Sequence, residues 1–116
     1  MGQVIMTYML IFFITMNTPL SPMEALDLVK EKYACNFIKS SIEDNLTDYY
    51  YKLDFGDYYL VYEDRDKISG SYLIHLYEFV LDDIDTGLGH TVTYGWYWVN
   101  PYTGAIEVYN DGLEGN

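Results

Sequence analysis

The chain has 116 residues, half of them hydrophobic, which is room for one domain that buries roughly two-thirds of its unfolded surface. Eighteen acidic against six basic side chains give a formal net charge of −12; such a surface repels phosphate backbones and anionic headgroups, which disfavours nucleic-acid and peripheral membrane binding. Self-repulsion serves solubility, attraction to cations or a basic partner is the alternative use of the charge, and a single cysteine excludes an internal disulfide.

Val4 to Met16 is an uncharged apolar run, shorter than the roughly 20 residues of a spanning helix but matching the apolar part of an export signal. No Lys or Arg precedes it, and Asn17-Thr18-Pro19-Leu20 holds no small-x-small cleavage site. Residues 1–20 are read as a signal-like or anchoring segment, the alternative being an apolar strand or helix packed on the domain.

Ser21-Pro22-Met23-Glu24 predicts a helix start: Ser21 caps, Pro22 suits the first helical position, and Glu24 closes a capping box. The helix continues to Tyr33, with Ala25, Leu28 and Val29 on its apolar face and Leu26 and Tyr33 as further candidates. Lys30 and Lys32 fall in its last turns, where the helix dipole favours cations. Cys35 follows a charged helix and reads as a buried structural thiol. Residues 34–46 are ambiguous: Phe37 and Ile38 suit a short strand, Ser40 to Asn45 a turn or a single helical turn.

From Thr47 the signals are β. Strands are expected at Thr47 to Leu53 and Tyr58 to Glu63, followed by a charged loop from Glu63 to Gly70. Ser71 to Leu81 is apolar on both alternating faces and reads as a central strand. An acidic loop, Asp82 to Gly89, leads to a strand from His90 to Val99, then to Ala105 to Tyr109 and a tail (111–116) expected to be flexible. Between the last two strands, Asn100-Pro101-Tyr102-Thr103-Gly104 is a turn, with Pro101 setting one torsion and Gly104 supplying a left-handed residue. The expectation is one α+β domain, residues 21–110: an amphipathic helix on an antiparallel meander of four to five strands.

The helix start Ser21-Pro22-Met23-Glu24-Ala25-Leu26 and the closing Trp96-Tyr97-Trp98-Val99-Asn100-Pro101-Tyr102-Thr103-Gly104-Ala105-Ile106-Glu107-Val108 resemble PepSY-like domains. That family opens with a Thr/Ser-x-x-Glu-Ala helix and closes with an aromatic-x-Val-Asp/Asn-x-x-Thr-Gly hairpin. Between the two motifs the likeness is in strand character alone. The resemblance implies a small secreted or membrane-tethered bacterial module with an inhibitory or regulatory role. It supplies no catalytic residues. Its motif positions, Glu24, Asn100, Thr103 and Gly104, are structural, as are the cap Ser21 and the turn residue Pro101 beside them. The chain is expected to stand alone rather than attached to a peptidase, and it is richer in Tyr than the pattern, which points away from a propeptide and toward a free-standing regulator or binding module.

Candidate chemistry is sparse. Asp85-Thr86-Gly87 imitates the aspartic-protease triplet, but Leu88 stands where that family wants Ala or Ser. Asp82, Asp83 and Asp85 form a candidate calcium loop, although counting from Asp82 puts Ile84 and Thr93 where an EF-hand needs ligands. His75 and Glu78 are three apart and fall on opposite strand faces, so they cannot share one metal or proton. His75 reads as a structural sheet histidine, and His90 as a residue within reach of the acidic loop. No metal, cofactor or catalytic residue is expected. Binding is assigned to Tyr94, Trp96, Tyr97 and Trp98, with Tyr94, Trp96 and Trp98 expected to share one strand face opposite Gly95 and Tyr97.

The functional expectation is a non-enzymatic extracytoplasmic regulator that binds another protein, such as a peptidase, with membrane contact only through a retained N-terminal segment. The alternative is an envelope module that recognises glycan or peptide by aromatic stacking; an aspartic-protease-like enzyme is a distant third.

Overall fold

The computed structural model describes residues 18–42 and 45–109. The apolar run and the C-terminal tail lie outside the described residues.

Helix α1 (Pro22–Tyr33) starts at a complete capping box: the Glu24 amide donates to Ser21 Oγ at 3.1 Å and the Ser21 amide donates to Glu24 Oε1 at 2.8 Å. These bonds occupy donors that a helix start otherwise leaves unpaired. The helix buries Ala25, Leu26 and Val29, whereas Leu28 is 38% exposed. Sequence spacing put Leu28 on the inner face, but neighbouring residues are about 100° apart around a helix, and the buried stripe runs from Ala25 through Val29 to Leu26. Cys35 is exposed, contrary to its reading as a buried thiol. Ala34 fills the buried place after the helix, and the chain turns outward when Phe37 N–H bonds Ala34 O.

Six strands follow in a single antiparallel sheet whose spatial order is the chain order. They are β1 (Ile38–Ile42), β2 (Asn45–Lys52), β3 (Tyr58–Arg65), β4 (Tyr72–Asp83), β5 (Leu88–Val99) and β6 (Ile106–Tyr109). The sheet thus has six strands rather than four to five. The added one, β1, pairs Ile38 with Lys52 and Lys39 with Tyr51; as an edge strand with Ile38 and Ile42 exposed, it lacks the alternation that marks a half-buried strand. β3 runs on to Arg65, through residues expected to form a loop. The acidic connection shrinks to Ile84–Gly87, since β4 and β5 extend into a hairpin whose residues 81–90 are all exposed.

The core lies on one side of the sheet. Ala25, Leu26 and Val29 pack on Leu60, Tyr72, Ile74, Tyr97, Val99 and Tyr51, with Leu20, Met23 and Leu76 around them. A short strap ties the helix entrance to the sheet's end: Leu20 N–H donates to Pro101 O at 2.7 Å, and the Tyr72 hydroxyl donates to Leu20 O at 2.8 Å. The β5–β6 turn is held by its own side chains. Asn100 Oδ1 accepts from Tyr102 N at 2.8 Å and Thr103 N at 3.2 Å, Thr103 Oγ1 accepts from Ala105 N at 3.2 Å, and Gly104 sits at φ 75°.

The register shifts at four places, between Ser41 and Ile42, Tyr62 and Asp64, Leu76 and Tyr77, and Leu81 and Asp83, and two of these bulges shape the site. In β3 the register shifts between Tyr62 and Asp64, leaving Glu63 unpaired with β4. In β5, Leu76 faces Gly95 while Tyr77 faces Thr93, so Tyr94 is the inserted residue. A bulge sends consecutive side chains to unexpected faces and re-aims them. The ring of Tyr97 lies across Gly95, where an added Cβ would meet the phenol oxygen at 2.5 Å. Gly95→Ala is therefore expected to displace a core tyrosine and cost about 1–3 kcal/mol in denaturant unfolding; a cost near zero would show that the ring moves freely.

Candidate functional site

α1 covers one face of the sheet, and among the described residues nothing covers the other. The open face carries a row of rings that crosses four strands. Tyr50 of β2 lies 6.0 Å from Tyr59 of β3, which lies 5.4 Å from Tyr77 of β4. Tyr77 stacks on His75 at 4.6 Å, and His75 stacks on Trp96 of β5 at 3.6 Å with only 6° between planes. Burial, reinforced by the Glu63 charge, pushes the Tyr77 phenol upward, so it stays a neutral donor.

His75 is the centre of this row and is 7% exposed. Its Nδ1 lies 2.9 Å from Glu63 Oε2 and its Nε2 lies 2.8 Å from Thr93 Oγ1. Both partners come from bulge sites: Glu63 is the inserted residue of β3, and Thr93 directly precedes the inserted residue of β5. Carboxylate, imidazole and hydroxyl in this order can align a proton, as hydrolase triads do. Here Trp96 and Tyr77 also stack on the imidazole. The set acts as a brace that fixes Trp96 and satisfies a buried polar ring. Sequence reading missed it, because the bulges hide which residues face His75.

The four residues assigned to binding part company. Trp96 and Trp98 stand on the open face. Tyr97 is 5% exposed, in the core, with its ring 4.5 Å from that of Tyr33. Tyr94 does not share a face with the tryptophans, because the bulge turns it to the helix-bearing side. There its hydroxyl donates to Glu78 Oε1 at 2.7 Å and its ring lies 6.0 Å from Tyr58. That hydrogen bond, more than its partial burial, pushes the Tyr94 phenol up to about 12. His75 and Glu78 do fall on opposite faces.

Beside Trp98, at the end of the sheet where β4 begins and β5 ends, a hollow of about 360 Å³ is lined by Asp66, Ser69, Ser71, Trp98 and Glu107. A smaller one of about 220 Å³ lies on β1 and β2 between Ile38, Lys39, Ser40, Lys52 and Asp54.

The Asp85-Thr86-Gly87 triplet forms the outermost turn of the β4–β5 hairpin, exposed throughout. The Asp85 amide donates to Asp83 Oδ1 at 3.0 Å, and the Leu88 amide donates to Thr86 Oγ1 at 3.3 Å. The calcium candidates do not converge: Asp82 pairs with His90 at 2.8 Å, while Asp83 caps the turn. Among the described residues no three His, Cys, Asp or Glu side chains gather in a metal-holding group. Among the same residues no helix is long and apolar enough to cross a membrane.

No family model matches the chain, and neither the curated proteins nor the solved structures contain a match to it.

Proposed function

We propose that this chain is a non-enzymatic, PepSY-like binding module acting outside the bacterial cytoplasmic membrane, secreted or tethered, and docking a protein partner on the open face of its sheet. The observation that carries this reading is the uncovered face bearing Trp96 and Trp98, with the row of rings behind them. Rigid aromatic anchors rimmed by polar groups are the composition of protein-docking surfaces. The capping-box helix and the Asn-Pro-Tyr-Thr-Gly hairpin support the PepSY likeness by standing at the start and close of one α+β layer. The apolar run Val4 to Met16 supports export or tethering. A regulated peptidase is the partner class the likeness suggests.

A second reading, recognition of a glycan or peptide by stacking, is favoured by the hydroxyls and carboxylates beside Trp98. Capture from a bacterial envelope fraction separates the two. A docked protein is expected to be retained by the wild type and by Leu28→Asp, altered on the helix-bearing side, and to fall about tenfold or more with Trp98→Ala. Equal capture by Trp98→Ala overturns docking at this end of the face. Retention on purified cell-wall glycan, lost with Trp98→Ala, replaces the protein reading with the glycan one. A captured peptidase that stays fully active at saturating module removes the inhibitory role.

A further inference from the structure

We infer that the hollow beside Trp98 is a receptor for a cationic side chain, so that the partner presents Lys or Arg from a basic segment; this rests on the reading that the open face docks a protein. Trp98 stands between Leu73 of β4 and Glu107 of β6 as their cross-strand neighbour. Asp66 faces it from the β3–β4 connection. That connection is tied in place: Asp66 N–H bonds Ser71 O at 2.8 Å, Gly70 N–H bonds Asp66 O at 2.8 Å, and Ser69 N–H bonds Asp66 Oδ2 at 2.7 Å. The bonds from Ser69 also hold the Asp66 carboxyl below the usual carboxylate range, so this wall stays charged.

Neither carboxylate of the hollow is neutralised from within. Among the described residues the carboxylates in close contact with a basic side chain are Glu31 with Lys30, Glu63 with His75 and Asp82 with His90, and neither Asp66 nor Glu107 is among them. Arg65, just before Asp66, sits over the Tyr72 ring with its guanidinium carbon 5.9 Å from the centroid. Lys67 is exposed in the same connection and pairs with neither carboxylate. An indole flanked by two carboxylates and two serine hydroxyls is complementary to an ammonium or guanidinium: the ring face attracts the cation, the carboxylates pair with it and the hydroxyl oxygens accept its hydrogens. The net charge of −12 draws such a segment toward the module and repels acidic ones. A neutral glycan would use the indole and hydroxyls but none of that field.

The test titrates the full chain with an acetylated, amidated tetralysine peptide by calorimetry, with tetraglutamate as the opposite-charge probe. Glu107→Gln is expected to weaken tetralysine binding about fivefold or more and Trp98→Ala further, whereas Asp85→Asn at the remote hairpin tip changes it less than about twofold. Tetraglutamate should not bind. Glu107 is exposed on an edge strand, so its variant keeps the fold and the comparison stands even where Trp98→Ala does not. Equal weakening by Glu107→Gln and Asp85→Asn would reduce the effect to the diffuse field and overturn the receptor. So would an absence of tetralysine binding. If tetralysine fails while captured protein still depends on Trp98, the receptor is wrong and the docking face stands; if capture is also independent of Trp98, both fall.

Discussion

Replacing His75 by alanine is expected to lower the unfolding free energy by about 2–4 kcal/mol, even though the residue lies on the face away from the main core. The imidazole is 7% exposed and lies flat against Trp96 at 3.6 Å, with Tyr77 at 4.6 Å, so its loss removes contact with two aromatic rings. It also leaves Glu63 and Thr93 without the groups they now hold at 2.9 and 2.8 Å. Glu63 is 38% exposed at its side chain and regains water, which limits its share. Glu63→Gln and Thr93→Val are each expected to cost about 1 kcal/mol, and the double variant less than their sum, because both act through one ring. Denaturant unfolding followed by tryptophan emission measures all four proteins, and Trp96 should shift to a more solvated spectrum in His75→Ala. A cost below about 1 kcal/mol would mean that the stack is incidental to stability.

That brace is also where sequence reading stops. The capping box at Ser21–Glu24 and the Asn100–Gly104 turn are legible, because each is a local hydrogen-bond pattern that a few neighbouring residues complete by themselves. β4 is legible as a central strand, because a strand hydrogen-bonded on both sides can carry apolar residues at most of its positions. Parity arguments fail at the bulges. One inserted residue at Glu63 and another at Tyr94 reverse the faces assigned by strict alternation. As a result Tyr94 is separated from the tryptophans, and Glu63, His75 and Thr93 meet without any spacing that announces it. A cue to burial is present: His75 lies between Ile74 and Leu76, inside the apolar half of its strand. β1 was obscured for a different reason, since an edge strand with exposed isoleucines and two serines gains its place from pairing with β2 rather than from burial. Leu26 and Leu28 look interchangeable in sequence, and the choice between them depends on how the helix rolls against Leu60 and Ile74.

The second large effect is expected at Asp27, which fastens α1 to β2. Its Oδ1 accepts the Tyr51 hydroxyl at 2.6 Å, and its carboxylate also accepts the Tyr49 hydroxyl at 3.0 Å to Oδ1 and 3.1 Å to Oδ2. The two rings meet edge to face at 5.8 Å, and the Tyr49 amide donates to Met23 Sδ at 3.4 Å. Hydrogen bonds to a charged acceptor exceed neutral ones in strength, and Tyr51 is 7% exposed, so its hydroxyl has little access to water as a substitute. Asp27→Ala should therefore cost about 2–3 kcal/mol, and Asp27→Asn less, since an amide oxygen still accepts. The pair also sets an alkaline limit. Burial first, then the hydrogen bond and charge of Asp27, pushes the Tyr49 phenol up to about 12, and the same causes raise Tyr51 further. A group whose folded pKa exceeds its unfolded value of about 10 contributes stability that is complete below pH ~10. Stability then falls as the pH climbs from there toward 12, because the unfolded chain releases those protons first. Denaturant midpoints measured across that window at fixed ionic strength should drop steeply in the wild type and less steeply in Asp27→Ala, with tyrosinate absorbance rising earlier in the variant. Identical slopes in the two proteins would place the strain of alkaline unfolding on other tyrosines. Because Asp27 lies on the helix-bearing side, its loss should leave the binding proposed at Trp98 intact in the folded protein; a parallel loss of both would mean that the two faces are coupled through the sheet.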